Sequence, residues 1–362
     1  MPKNRTQYWL ALKFVPRLAT HKKITLVNEH GLQALFTSSI VSINKLTQKQ
    51  QVAFKHPDWQ KIDNIIAASE YCKSEIILFD DEDYPQLLKQ IYDPPLILFI
   101  QGNKKLLNHS QIAIVGSRSA SITGRDIAYQ IANQLSDNGV AVTSGLALGI
   151  DAAAHKGALA SSLGTIAVVA TGLDQVYPAR HRQLAKNILN ANGAIISEFL
   201  PGTSPKPGHF PKRNRVISGL SLGVVVVEAA IKSGSLITAR FALEHNREVF
   251  AIPGALSNPL TKGCHSLIKQ GAKLVEECAD ILEELDRPIY LKEKIDKNEK
   301  SVQEDLFLDP LLASVGYEIT PIDRVISRSK LPVEAVLTRL TMLELKGVIA
   351  AVPGGYLRLN RG

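Results

Sequence analysis

The residues best equipped for chemistry stand in one run, Phe210-Pro-Lys-Arg-Asn-Arg215, where an aromatic ring, three cations and an amide abut the apolar stretch Val216 to Leu220. Ring plus cations is what single-stranded nucleic acid asks for: an exposed base stacks on a ring for about 1 to 3 kcal/mol, and cations neutralise phosphates. Duplex DNA, its bases already stacked, offers nothing to the ring. A buried Phe210 beside solvated charges is the competing reading. The run ends a loop, Phe199 to Pro211, that four prolines hold extended and that also carries Lys206. From Phe199 to Val227 there is no Asp or Glu, so a local field of one sign is expected.

Two further clusters have the character of anion contacts. Gly116-Ser-Arg-Ser119 follows the apolar run Ile112 to Val115. The helix behind it is expected to begin at Thr123, with Thr123 and Asp126 at capping-box spacing. Its exposed amides and positive end would hold a phosphate beside Gly116 and Ser117, and Arg118 would add a fixed cation. A tight turn with a solvated arginine is the plainer alternative. Glu228-Ala-Ala-Ile-Lys-Ser-Gly-Ser235 follows Val224 to Val227, and Gly234 and Ser235 at a helix start permit close approach of a phosphate. Glu228 is the carboxylate at this edge that could act as acid or base; with no second carboxylate placed beside it, hydrogen bonding to loop amides is the preferred role. In Ser144 to Asp151, Gly145 and Gly149 allow close backbone approach, Gly149 for packing, and Asp151 caps or starts a helix. His155, one turn on, reads as solvated or capping.

These spacings exclude familiar nucleotide enzymes. Neither G-x-G-x-x-G nor G-x-x-x-x-G-K-[ST] is present, so a nicotinamide oxidoreductase and a P-loop ATPase are unsupported. No catalytic residue, cofactor or metal set is expected. Cys72, Cys264 and Cys278 are widely spaced and odd in number, and read as reduced thiols. The formal charge of +8 favours an anionic partner. No run approaches the roughly 18 uncharged apolar residues of a spanning helix. MPKNRTQYWL lacks a signal-peptide core, so a cytoplasmic chain without membrane contact is expected.

Such clusters need a scaffold that brings them together, and 362 residues suffice for two or three domains. Residues 1–80 read as a helical domain, with TQYWLALKFV, GLQALFTS and DNIIAASEYC as amphipathic pieces. Residues 81–285 read as a doubly wound, mostly parallel α/β domain: strands at 112–115, 140–143, 165–170, 194–197, 224–227 and 248–252 alternate with helical segments, after a strand from Leu96 to Ile100 that Pro94-Pro95 keeps from being helix. GCHSLIKQGAKLV, 263–275, reads as helical and then extended. Residues 286–305 are charged and read as a linker. In 306–362, a short helix (Leu311 to Val315), a second that Thr320 caps with Pro321 in its first turn, a third from Pro332 to Lys346, and a hairpin about Pro-Gly-Gly give the winged-helix order.

In order and spacing, VGSR, TSGLALGIDAAAH, FPKRNRVISGLS, VVVEAAIKSGSLITARFALEHNREVFAIPG and GCHSLIKQGAKLV resemble the DNA-processing protein A (DprA/Smf) family across nearly the whole chain. The resemblance implies an extended Rossmann fold, binding of single-stranded DNA without a catalytic step, self-association as a homodimer, and loading of the RecA recombinase onto incoming strands in natural transformation. It implies that Gly116, Ser117 and Arg118 hold phosphates, that Phe210 meets a base, and that Lys212, Arg213 and Arg215 line the strand, with Lys206, Asn214, Gly234 and Ser235 in the same interface. Some relatives carry a lysine three residues before the phenylalanine, where this chain has Pro207 next to Lys206. The family's dimer and RecA surfaces point to Leu267 and Ile268. The amino-terminal helices look like the family's sterile-alpha-motif-like domain, and the tail like its winged helix. From Leu306 to Gly362 there are seven Lys or Arg against five Asp or Glu, so protein contact is as fitting for the tail as duplex reading.

Two other readings stay open. Related Rossmann-like folds include nucleotide phosphoribohydrolases, but their P-G-G-x-G-T-x-x-E pattern is missing because Glu228 precedes its small-residue turn. A winged-helix regulator of duplex DNA is the third.

Overall fold

The computed structural model describes residues 3–37, 46–285 and 311–359. All six runs expected as alternating strands are strands: β3 (Gln111–Gly116), β4 (Ala141–Ser144), β5 (Thr165–Val168), β6 (Ala194–Ser197), β7 (Gly223–Val227) and β8 (Glu248–Ala251). Before them come β1 (Glu75–Leu78) and β2 (Ile97–Gly102), and after them the short β9 (Lys273–Leu274). One sheet results, in the order β1-β2-β6-β5-β4-β3-β7-β8-β9. The β1/β2 and β2/β6 pairs are antiparallel and the rest parallel.

Alternation explains why these strands read as unbroken apolar runs. Ala113, Val115, Val224 and Val226 enter one hydrophobic cluster, whereas Ile112, Ile114, Val225 and Val227 enter another on the opposite face. Helices therefore cover both faces, and consecutive positions of β3 and β7 are apolar. The fold is the mostly parallel, doubly wound α/β class. From β3 the sheet grows one way through β4, β5 and β6, and the other way through β7 and β8. The carboxyl ends of β3 and β7 thus flank the point where strand order reverses, which in open α/β sheets is where ligands bind.

Among the described residues, four α-helices precede the sheet: α1 (Arg5–Phe14), α2 (Thr20–His30), α3 (Gln48–Lys55) and α4 (Trp59–Tyr71). Of the amphipathic pieces read from sequence, GLQALFTS forms only a 3-10 turn, Ala34–Phe36. Trp9, Leu10 and Leu12 pack in one cluster with Leu78, Ile97, Phe99, Ala167 and Ile195. The break expected near residue 80 is therefore not a break in packing, because α1 shares the core of the sheet.

The later helices are α5 (Gln86–Lys89), α6 (Ile122–Asp137), α7 (Ile150–Ala158), α8 (Arg182–Asn190), α9 (His209–Leu220), α10 (Gly234–Glu244), α11 (Lys262–Lys269) and α12 (Cys278–Glu284). Pro211 sits in the first turn of α9, where its missing N–H costs nothing. No helix among the described residues is long and apolar enough to cross a membrane.

The chain divides into two compact units, Met1–Tyr290 and Leu291–Gly362. The expected linker, 286–305, lies outside the described residues. In the second unit a 3-10 turn, Leu312–Ser314, stands where a short helix was expected. Helices Ile322–Ser329 and Val333–Leu345 follow, then strands Ile349–Val352 and Gly355–Arg358, paired antiparallel. Pro321, not Thr320, is the N-cap of the first of these helices, because the Thr320 hydroxyl is taken by the Gly316 amide and the Glu318 carbonyl. Leu312, Val325, Val336, Leu340 and Ile349 form its core. The solvent side of Val333–Leu345 shows Val333, Leu337, Met342 and Leu345.

Candidate nucleic-acid interface

A cleft of about 870 Å³ opens at the carboxyl ends of β3 and β7. Its walls are the Gly116–Ser119 turn, the extended loop and start of α9 from Pro205 to Asn214, and the start of α10 at Ser233–Ser235. Four cations line it, Arg118, Lys206, Arg213 and Lys232, against one carboxylate, Asp151. The first turns of both α9 and α10 also line it, adding the partial positive charge of two helix N-termini. The electrostatics suit an anion. Gly234 is exposed with open space at its Cα, so a ligand can approach the α10 backbone. Ser235 is buried, its amide and hydroxyl both bonded to the hydroxyl of Ser233, the α10 cap.

Phe210 is half-buried at this cleft, so neither extreme, a core ring or a free one, holds. The guanidinium of Arg118 lies 5.1 Å from its ring centroid and the ring of Tyr177 5.8 Å away at an interplanar angle of 55°. Arg118 and Lys206 are exposed, and Tyr177 is 44% exposed. Tyr177, which lies in none of the family motifs, and Lys232, which lies inside one but is not among the expected contacts, also line the cleft. Both lie in loops that follow a strand, β5 for Tyr177 and β7 for Lys232, and a search of every strand's carboxyl edge would have found them.

The other two arginines of the run are not free cations. Arg213 is 5% exposed: its guanidinium donates to the carbonyls of Gly145 (2.5 Å) and Val168, and through Nε to Asn214 Oδ1 (3.2 Å). Burial draws its pKa down to about 10, against the pull of Asp151. Arg215 is 7% exposed and spent on Glu198 and on the carboxylate and carbonyl of Asp93. The expectation that Arg215 lines a strand is therefore corrected, because it is not among the cleft's lining. Arg213 lines the cleft, but as a buried cation whose donors are already engaged. Asn214, also buried, donates to the Gly234 carbonyl (3.3 Å) and so links α9 to the start of α10. Lys212 is exposed but does not line the cleft.

The turn after β3 is also built differently from the expectation. α6 starts at Ile122, and its cap is Ser121, whose hydroxyl accepts from the Gly124 amide at 2.9 Å. Glu228 makes this choice: its carboxylate accepts from the amide (2.8 Å) and hydroxyl (2.5 Å) of Ser121 and from Asn258 (3.4 Å). Its carbonyl takes the Ser117 amide (2.7 Å), and the Ser119 amide goes to the Ser117 hydroxyl (3.2 Å). Those amides are thus already satisfied, which leaves Arg118 as the turn's main means of holding a phosphate. Glu228 has the structural role preferred from sequence. Gly116 and Ser117 line the cleft beside it, Ser117 buried.

Gly149 has φ +76°, and a Cβ there would overlap the Ser117 carbonyl oxygen. Gly149→Ala is expected to destabilise the chain by about 2 to 4 kcal/mol, through positive-φ strain plus overpacking, read as a lower denaturant midpoint at constant slope. Asp151 opens the first turn of α7 and accepts from the Gly145 (3.1 Å) and Ala147 (3.2 Å) amides. Burial raises its pKa, opposed chiefly by Arg213. His155 is neither solvated nor capping. It is fully buried against Thr165 (2.9 Å), whose hydroxyl donates onward to the Val142 carbonyl, and burial lowers its pKa to about 3. Leu267 is likewise turned into the core with Cys264 and Ala229, and Ile268 packs partly on the same cluster.

A doubly wound α/β sheet with a cation-lined cleft at its reversal point, followed in sequence by a winged helix, defines a Rossmann-like protein whose cleft suits an anion. A family model described as DNA recombination-mediator protein A matches residues 75–286, and one described as DprA winged helix domain matches 301–355. Protein Smf of Escherichia coli (strain K12) is 42% identical over 360 residues, 98% of this chain and 96% of that protein. DNA processing protein DprA of Streptococcus pneumoniae is 41% identical over 74% of this chain and 94% of its own length. The X-ray structure of the DNA processing protein A from Streptococcus pneumoniae aligns with a TM-score of 0.68 at 39% identity, over 78% of this chain and 99% of that one. That of DNA processing protein A from Helicobacter pylori, described for its single-stranded DNA binding mode, aligns at 0.54 and 29% identity, over 60% and 99%. The chain belongs to the DprA/Smf family.

Proposed function

We propose that this chain binds single-stranded DNA in the cleft at the ends of β3 and β7, protects incoming strands, and promotes RecA loading in natural transformation. The carrying observation is the half-buried Phe210 at a cleft of four cations, with Arg118 over its ring and Tyr177 beside it. A strand would draw the Arg118 guanidinium onto a phosphate and set a base against the ring it vacates, with Lys206 and Lys232 as further phosphate contacts. The single-stranded DNA binding named for the Helicobacter pylori relative supports the same reading.

The activity is binding without a catalytic step, in the cytoplasm, by a homodimer. Ile268, rather than the buried Leu267, is the residue of that pair able to meet a partner. The winged helix serves protein contact, since Val333–Leu345 presents apolar side chains where a duplex reader carries cations.

Titration of single-stranded and duplex oligonucleotides at several salt concentrations tests the reading. Affinity for the single strand is expected to exceed that for duplex, and Arg118→Ala to weaken it while flattening the salt slope by about 0.7. Equal affinity for both forms would sink the proposal. Release of free base from nucleoside monophosphates, abolished by Glu228→Gln, would restore the phosphoribohydrolase reading.

A further inference from the structure

A second group of cations gathers where α9 meets the amino-terminal helices, and the cleft does not use it. Lys212 lies 6.0 Å from the centroid of the Phe199 ring, and its charge is felt by Lys13 of α1 and Lys23 of α2. The Lys13 ammonium donates to the Glu198 carbonyl (3.2 Å), and that of Lys23 donates to the Lys13 carbonyl (3.0 Å). Each spends one of its three donors on a backbone oxygen. The carboxylates here, Asp93 and Glu198, are both paired with Arg215. Basic side chains, Lys13, Lys23, Lys212 and Arg215, thus outnumber the carboxylates Asp93 and Glu198 at this place.

Holding ammonium groups this way is costly unless an anion completes the site. Burial lowers the pKa of Lys13, and it lowers that of Lys23 to about 8, with Lys13 adding like-charge repulsion. The polar network is also incomplete. His209, whose ring stacks on Phe199 at 4.4 Å, has a buried Nδ1 without a hydrogen-bond partner, and so does Glu198 at Oε1. A phosphate carries acceptor oxygens for the free ammonium donors and for an Nδ1–H of His209, and can bring water to the carboxylate.

We propose that Lys13, Lys23 and Lys212 form a second phosphate site, filled by the backbone of the same DNA strand whose base meets Phe210. The inference rests on the strand-binding reading above and extends it. Residues 209–212 then separate two contacts: the strand enters the cleft on one side of the α9 start and crosses to α1 and α2 on the other. The amino-terminal helices become part of the DNA surface, not only a cover for the sheet.

The test uses the full chain and labelled oligo-dT of about 6 and about 20 nucleotides, titrated by fluorescence anisotropy at several salt concentrations. The short strand is expected to engage the cleft first, and the long one both sites. Lys23→Met is expected to weaken the 20-mer by about three- to tenfold and flatten its salt slope by about 0.7, leaving the 6-mer unchanged. Lys212→Gln, at an exposed position, is expected to weaken the 20-mer similarly and carries the test should Lys23→Met fail to fold. A purely structural role for these lysines would shift the unfolding midpoint and leave 20-mer affinity and slope alone. Unchanged 20-mer binding in the variants, while Arg118→Ala still weakens both strands, would overturn the second site and spare the cleft. Equal weakening of both strands by Lys23→Met would overturn it as well. Wild-type chain that binds neither strand would overturn both readings.

Discussion

Replacing Arg213 by alanine is expected to cost the fold about 2 to 4 kcal/mol, because two buried carbonyls lose their donor and the buried Asp151 carboxylate loses a nearby cation. The guanidinium donates to two carbonyls at the ends of neighbouring segments, Gly145 and Val168, and its charge opposes the burial of Asp151. Alanine leaves both carbonyls without this donor and the carboxylate without its main cation. Urea unfolding is the measurement, with a lower midpoint at constant slope. The pH dependence follows with a definite sign. In the variant the folded-state pKa of Asp151 rises further above its unfolded value, so the unpaired charge costs most near neutral pH. That cost is relieved as pH falls and the carboxyl is protonated. Arg213→Lys keeps the charge but not the planar fork, and is expected to recover less than half of the loss. A loss under about 1 kcal/mol in the alanine variant would mean that Arg213 is not integral to the strand ends.

The second large effect falls on binding. Phe210→Ala is expected to weaken single-stranded DNA binding by about 1 to 3 kcal/mol, the worth of one stacked base. The ring contacts no phosphate in this reading, so the salt slope should stay at the wild-type value, in contrast to Arg118→Ala, which flattens it. Phe210→Trp preserves the π face and should retain binding. If Phe210 is instead only a packing residue for Tyr177, alanine will lower the unfolding midpoint and leave affinity unchanged. Titration and unfolding of the same variant separate the two outcomes.

These effects show where the sequence was and was not transparent. Strands β3 to β8 could be read because parallel strands covered on both faces must be apolar at consecutive positions, as Val224 to Val227 are. The cleft's place could be read from the rule that binding residues follow strands, and it gathered Arg118, Phe210 and Gly234 into one site. The cap of α6 could not. Thr123 and Asp126 have good capping-box spacing, but Ser121 wins because Glu228, 107 residues away, bonds its amide and hydroxyl.

What the sequence determined by itself was the local and the periodic: the parallel sheet, the winged-helix order, the acid-free interval and the family motifs. The tertiary structure decided which cations are available. Arg118, Phe210, Lys212, Arg213 and Arg215 look alike as candidates along the chain, yet the helix turns residues 213–220 of α9 into buried surroundings and leaves Lys212 outside. Arg215 is neutralised by Glu198 and also bonds the Asp93 carbonyl 122 residues away, and Arg213 bridges loops 68 and 45 residues distant. Charge along a sequence adds without regard to partners. In the fold, burial forces each arginine to find its own, because an unpaired guanidinium out of water costs more than the chain can bear.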